Sequence, residues 1–344
     1  MNSSDFWNKQ NTSFCFELID NSCHKTDISL LRFSAMCIIM FVGVVITIVG
    51  NLMVIISVSH FKQLHSPTNF LILSLAITDF LLGLVIMPYS MVRSMTSCWY
   101  FGEFFCTLHS CLDMMFCTTS IFHLFFISVD RYYAVCQPLH YYSKIPIDVI
   151  GVYLFFSWSI PCFYSFGLVL SKVNIEGLQD KLDALSCAGS CALTFNKQWA
   201  VITVLICFFI PGTMMIGIYI HIFSIARKQA KIVHSHPNYL SSNTNIKSSL
   251  KVESKAAKTL SLVMGVFILC WLPFFIVTVV DPYINFLTSD NLYNAVLWLG
   301  YFNSTLNPII YALFYPWFQK SFKCILTGNI FKANSSSLNI LNKD

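Results

Sequence analysis

Charge is scarce in this chain. Of 344 residues only 11% are Asp, Glu, Lys or Arg, while 56% are hydrophobic, more apolar material than a soluble domain of this length can hide in a core. Also missing are an internal repeat, metal-ligand spacing, a Gly-rich phosphate loop and a nucleophile–base pair, so no enzyme chemistry is expected. Residues 1–30 are polar and lack an apolar core ahead of a small-residue cleavage site. No cleavable signal peptide is therefore expected, and the first span serves as its own insertion signal.

What is present are apolar runs of membrane-spanning length, at about 33–59, 69–93, 103–136, 148–170, 198–229, 254–281 and 291–314. Each is near or above the ~20 residues that cross a bilayer. The expected fold class is an all-α membrane protein, a seven-transmembrane helix bundle, with its termini on opposite sides. Fourteen of the 21 Lys and Arg residues fall on one side, among them Lys62, Arg131, Arg227, Lys228, Lys255 and Lys320. The positive-inside rule makes that side cytoplasmic and the N-terminus extracellular. The net charge of +5 is thus a topology signal and not a nucleic-acid signature. The outer side carries ten acids against seven bases, a mildly attractive field for a cation.

Asn2 and Asn11 head glycosylation sequons on that outer side. Six of the 14 cysteines also fall there: Cys15, Cys23, Cys98, Cys106, Cys187 and Cys191. Disulfides are expected in that oxidising compartment, although six cysteines allow fifteen connectivities. Three domains are expected: a glycosylated tail (1–32), the bundle (33–314), and an amphipathic helix with a cytoplasmic tail (315–344). That helix, Pro316 to Cys324, lies along the inner membrane surface, in contact with lipid. Cys324 is a palmitoylation candidate, with a free thiol as the alternative.

Asp113 is the most informative residue. It is a carboxylate inside an apolar stretch, and a charge at membrane depth is costly and functional by default. Arg131 follows eighteen residues later, about five turns or ~27 Å along the same helical face. One helix thus links an outward-facing anion to an inward-facing cation. A protonated aliphatic amine is a cation at pH 7 and fits such a carboxylate through a charge-assisted hydrogen bond. The alternative for Asp113 is an ion pair within the bundle, but the third span has no further charge before Asp130.

The ordered motifs resemble the rhodopsin-like G-protein-coupled receptors across nearly the whole chain. They are Gly50-Asn51, Leu75-Ala76 with Asp79, Asp130-Arg131-Tyr132, Trp158, Pro211, Cys270-Trp271-Leu272-Pro273, and Asn307-Pro308-Ile309-Ile310-Tyr311. The stretch from Asn303 to Phe318, with His60 to Asn69 and Cys98-Trp99-Tyr100-Phe101-Gly102, is similar to the trace amine-associated receptors.

The resemblance implies a receptor for a small cationic amine, coupled to a heterotrimeric G protein of the stimulatory or olfactory type and raising cAMP. Most members of that family serve olfaction, which points to the plasma membrane of olfactory sensory neurons. Around Asp113 it implies Met114, Cys117 and Thr118, then Trp271, Phe274, Phe275 and Tyr301, whose faces can hold a cation and an aryl ring. Ordinary helix packing is the alternative for each. The fifth helix offers Thr203, Val204 and Cys207, without the second aspartate of diamine receptors and with a weak handle for a catechol. A small, volatile primary amine of the phenylethylamine kind follows.

Asn51, Asp79, Asn303, Ser304, Asn307, Pro308 and Tyr311 are implied to form a network linking the pocket to the inner face, with a sodium ion at Asp79 and no other cofactor. The alternative is plain interhelical hydrogen bonding. Asp130, Arg131, Tyr132 and Glu253 are implied to serve G-protein coupling, with an Arg131–Glu253 ion pair holding the resting state. The resemblance also implies disulfides Cys106–Cys191 and Cys23–Cys187, and leaves Cys15 and Cys98 unassigned. Other readings remain open at this point: a serotonin or catecholamine receptor of the same fold, and a transporter.

Overall fold

Backbone N–H and C=O groups find no water in a bilayer, so the apolar runs must satisfy them internally as helices. The computed structural model describes residues 14–25, 29–235, 244–338 and 340, and it sets out eight principal helices. These are α1 (Leu30–His60), α2 (Pro67–Leu81, continued by Leu82–Ile86 and Met87–Thr96), α3 (Glu103–Cys136) and α4 (Ile147–Ser171). They are followed by α5 (Lys197–Val204, Leu205–Phe209 and Ile210–Ser235), α6 (Thr244–Val280), α7 (Asp290–Phe314) and the short α8 (Pro316–Leu326). The chain is an all-α membrane protein.

Among the described residues six helices are long and apolar enough to cross a membrane, one fewer than the seven expected. The difference is α7. Its 25 residues include Asn303, Ser304, Thr305 and Asn307, which lower its hydropathy, but all four are buried in the bundle. A helix whose polar side chains face its neighbours does not need to be uniformly apolar.

Local sequence explains the starts and bends. Ser66, Asn196 and Ser289 cap α2, α5 and α7, each accepting a hydrogen bond from the backbone N–H three residues on, which satisfies one orphan donor of the first turn. The wide π turns Leu82–Ile86 and Leu205–Phe209 each end two residues before a proline, Pro88 and Pro211. Proline lacks an N–H and crowds the carbonyl one turn back, and the widened turn accommodates both.

The long α3 is central, packed against α2, α4, α5 and α6. At one end of the bundle three disulfides gather: Cys15–Cys98, Cys23–Cys187 and Cys106–Cys191, with Cα separations of 5.6, 5.0 and 5.8 Å. The N-terminal segment is stitched there by backbone bonds Cys23 N–H to Ala188 C=O and Ala188 N–H to Asn21 C=O. The first of the three pairs joins the two cysteines that the sequence left unassigned. Asn2 and Asn11 lie outside the described residues.

At the opposite end α8 buries Trp317 and Phe318, and Cys324 is a half-buried free thiol. The chain beyond α8 turns back under α1, where Ser335 Oγ pairs with His60 Nε2 at 3.0 Å and the Ile340 N–H donates to Gln63 Oε1 at 3.0 Å.

Close approach of α1 and α7 depends on a missing side chain. A Cβ on Gly50 would lie 2.7 Å from Pro308 Cγ, so α1 meets the proline ring directly. Gly50→Ala is expected to destabilise the protein by about 1–3 kcal/mol through overpacking, measured as a lower melting temperature in detergent. An unchanged melting temperature would show that this contact has slack.

Candidate functional site

Asp113 faces into the bundle from α3, and its two oxygens have different company. Tyr301 on α7 donates its hydroxyl to Oδ2 at 2.6 Å, while the Cys117 thiol, one turn along α3, donates weakly to Oδ1 at 3.4 Å. No Lys, Arg or His forms an ion pair with this carboxylate among the described residues. It borders a cavity enclosed mainly by α3, α5 and α6.

The cavity wall brings together most of the residues singled out from sequence. Met114, Cys117 and Thr118 contribute from α3, Thr203 and Cys207 from α5, and Trp271, Phe274 and Phe275 from α6. Two lie elsewhere. Val204 packs against the hydrophobic core beside the wall, and Tyr301 is fully buried behind Asp113. Thr203 and Cys207, four residues apart on one face of α5, line the cavity, and Val204 does not. Thr203 also bonds Tyr164 of α4, oxygen to oxygen 2.9 Å.

The floor is aromatic. Trp271 meets Phe274 and Phe275 at centroid distances of 5.7 and 5.8 Å, and Phe275 stacks on Phe208 at 4.6 Å. Gly300 lets α7 reach this ring system, since a Cβ there would stand 2.7 Å from the Trp271 ring.

Sequence reasoning missed several wall residues. Arg93 near the end of α2, Leu193 and Phe195 of the α4–α5 link, and Tyr293 of α7 all line the cavity. Arg93 Nη1 donates to the Cys191 carbonyl at 3.1 Å, and the Cys106–Cys191 bridge pins the segment carrying Leu193 and Phe195 over the mouth. A cation within an apolar run was a readable signal for Arg93. Their closeness to Cys191 was the one signal for Leu193 and Phe195. Above them a second hollow is lined by Asp281, Asp290 and Lys181 and shares Leu193, Phe195, Thr278 and Tyr293 with the first.

Deeper in the bundle Asp79 accepts from Ser120 (3.0 Å) and Ser304 (2.7 Å) at Oδ1 and from Asn307 (2.8 Å) at Oδ2. Asn51 donates to the carbonyls of Thr47 and Ser304 at 2.9 and 3.1 Å. Buried polar atoms are normally hydrogen-bonded, yet Asn51 Oδ1, Asn303 Oδ1 and Nδ2, Asn307 Oδ1 and Tyr311 Oη have no partner. Amide oxygens beside a carboxylate are the donor set of a hard cation or ordered water, so these residues fit the expected sodium ion. No cluster of three His, Cys, Asp or Glu suited to a metal occurs among the described residues.

At the end of α3 away from the disulfides, Arg131 folds onto its neighbour. Its Nε and Nη2 donate to Asp130 Oδ2 at 2.9 and 2.6 Å. Thr68 of α2 donates to the same oxygen at 2.7 Å, and Tyr141 in the link after α3 donates to Oδ1 at 2.7 Å. Burial, and then the Asp130 charge, push the Tyr141 hydroxyl above its ordinary pKa and keep it a donor. Tyr132 packs its ring on His221 of α5, centroids 5.5 Å apart. The Glu253 side chain lies outside the described residues, and the expected Arg131–Glu253 pair with it.

The pattern of the seven-transmembrane receptors of the rhodopsin family matches residues 50–311. The chain is 56% identical over 339 residues to trace amine-associated receptor 4 of Rattus norvegicus, covering 98% of both. It is 49% identical over 329 residues to receptor 13c of Danio rerio, covering 96% of both. With receptor 1 of Homo sapiens it shares 46% identity over 326 residues, 94% of this chain and 96% of that one. The chain belongs to the trace amine-associated receptors. It is a multi-pass membrane receptor and not an enzyme, and membership removes the transporter reading.

The lock at Asp130 gives a direct expectation for this receptor. Tyr141→Phe and Thr68→Val each remove a donor to the buried Asp130 charge, a cost of about 1.5–3 kcal/mol, while leaving the direct Arg131–Asp130 pair in place. A lower melting temperature in detergent is expected for both, and a melting temperature equal to wild type would contradict this.

Proposed function

We propose that this chain is a receptor for small primary monoamines with an apolar or aromatic tail, phenylethylamine being the reference compound. The observation that carries the reading is Asp113: a half-buried carboxylate without an ion-pair partner among the described residues, on the wall of an aromatic cavity. A buried charge is costly unless paired, and an ammonium ion supplies the missing cation while the rings take the tail.

The wall supports one amine group. Thr203 and Cys207 are the α5 residues lining it, and neither is a second anion. The Thr203 hydroxyl is engaged with Tyr164, which weakens it as a catechol handle and disfavours the serotonin or catecholamine alternative. Asp281 and Asp290 outnumber the single cation Lys181 in the upper hollow, which leaves a mildly attractive field on the route to Asp113.

The remaining assignments follow the same reading. The disulfide end, with the N-terminus, faces outside, and Asn2 and Asn11 carry glycans. The Arg131 end meets a stimulatory or olfactory G protein that raises cAMP. Amine binding opens it only through differential affinity for the open form. Asp79 with Asn51, Asn303, Ser304 and Asn307 holds a sodium ion in the resting state, while Cys324 carries a palmitoyl anchor. The setting is the plasma membrane of olfactory sensory neurons.

The test is cAMP accumulation in cells expressing the full chain, against primary amines, diamines and tertiary amines, with Asp113→Ala in parallel. Primary monoamines should respond best, and Asp113→Ala at equal surface expression should abolish the response. A diamine outperforming phenylethylamine would overturn the monoamine reading, and an unaffected Asp113→Ala would overturn the counter-ion. Separately, replacing sodium by a large organic cation should raise agonist affinity in wild type but not in Asp79→Asn. Equal behaviour of the two would exclude sodium at Asp79.

A further inference from the structure

Behind Asp113 lies a set of buried polar groups that the amine reading does not use. Ser90 of α2 is fully buried and His109 of α3 is 1% exposed. His109 is walled by the rings of Trp99, Phe105 and Tyr89, with centroids at 5.1, 6.4 and 6.5 Å. It stands four residues before Asp113, on the same face of α3.

The ends of this set fix the direction of every bond in it. Tyr301 has one hydroxyl proton, and it goes to Asp113 Oδ2 at 2.6 Å, because an ionised carboxylate only accepts. Tyr301 Oη must then accept from Ser90 Oγ, 3.3 Å away. Ser90 has thereby used its own proton and must accept from His109 Nε2, also at 3.3 Å. The same nitrogen lies 3.3 Å from the Ile86 carbonyl oxygen, which can only accept, so Nε2 carries the hydrogen on both counts. Nδ1 has no partner. A neutral ring tolerates this better than an imidazolium, which would bury an unmet N–H donor. The chain runs one way, from His109 through Ser90 and Tyr301 to Asp113.

We propose that Ser90 and His109 are positioning residues for the ligand's counter-ion: through Tyr301 they hold the Asp113 carboxylate in place with Oδ2 engaged, leaving Oδ1 for an ammonium. This rests on the reading that Asp113 binds the amine. Aligned donors in a medium of low dielectric polarise one another, so the last bond in the chain is stronger than an isolated tyrosine would make it. The arrangement also fixes the carboxylate rotamer before the ligand arrives, which removes an ordering cost from binding. At Oδ1 the competing donor is the Cys117 thiol at 3.4 Å, weak enough for an ammonium to displace.

A purely structural role is the competing account, in which Ser90 and His109 tie α2, α3 and α7 together and contribute to stability alone. The two accounts separate in the full-length receptor in cells, at matched surface expression, by the concentration of a primary amine giving half-maximal cAMP. Ser90→Ala and His109→Leu should each raise that concentration about tenfold, the scale of a lost hydrogen bond acting on a charge. Ser90→Thr and His109→Gln, which keep a hydroxyl and an N–H, should return it to within about threefold. In a Tyr301→Phe background, where the chain is already cut, Ser90→Ala should add less than about twofold.

Unchanged potency in Ser90→Ala, failure of the conservative variants to rescue, or full additivity with Tyr301→Phe would each overturn the proposal. Should His109→Leu not reach the surface, Ser90→Ala with its threonine rescue decides. A wild type silent to primary amines would overturn the amine reading and this proposal together, whereas a responsive wild type with flat variants overturns the relay alone.

Discussion

The hydrogen bond from Tyr301 to Asp113 joins α7 to α3 beside the aromatic cavity. A carboxylate without a cation in an apolar bundle must either be held by donors or lose its charge. Tyr301 supplies the stronger donor, and it is itself fully enclosed. The site is therefore an anion supported from behind and open in front, which is what recognition of a cationic ligand requires.

The same helix repeats the arrangement one layer deeper. Ser304 and Asn307 of α7 donate to Asp79 of α2, and Ser120 of α3 joins them. Tyr301, Ser304 and Asn307 recur every three residues along one face of α7, so this helix contacts both Asp113 and Asp79. At the far end of α3, Asp130 is satisfied differently, by the adjacent Arg131 and by donors from α2 and the following link. Any displacement of α7 relative to α3 changes the bonding at Asp113 and Asp79 together. Such a linked pair of polar layers is a physical basis for two discrete states of the bundle, whose balance a ligand shifts by binding one better than the other.

Much of this was legible in the chain itself. Asp79, Asp113 and Asp130 could be found because charge is so scarce that each intramembrane carboxylate stands out, and helix ends followed hydropathy to within a few residues for α3, α4 and α7. What escaped was set by geometry without a sequence period. The wall residues Leu193 and Phe195 belong to an irregular link held by a disulfide. That Thr203 and Cys207 line the cavity and Val204 does not is set by the rotation of α5 about its axis, which an apolar run does not encode. Cys15 and Cys98 could not be paired from spacing, since their Cα atoms come to 5.6 Å only once the N-terminal segment is laid across the bundle. The relay through Ser90 and His109 has no motif at all, being assembled from three helices.

The most direct test of the central claim is the structure of the receptor bound to phenylethylamine, at a resolution that places the ammonium nitrogen. The account predicts that nitrogen at about 3 Å from Asp113 Oδ1, with Tyr301 still donating to Oδ2 and the phenyl ring against Trp271 and Phe275. An ammonium lodged away from Asp113, at Asp281 or Asp290 in the upper hollow, would contradict it.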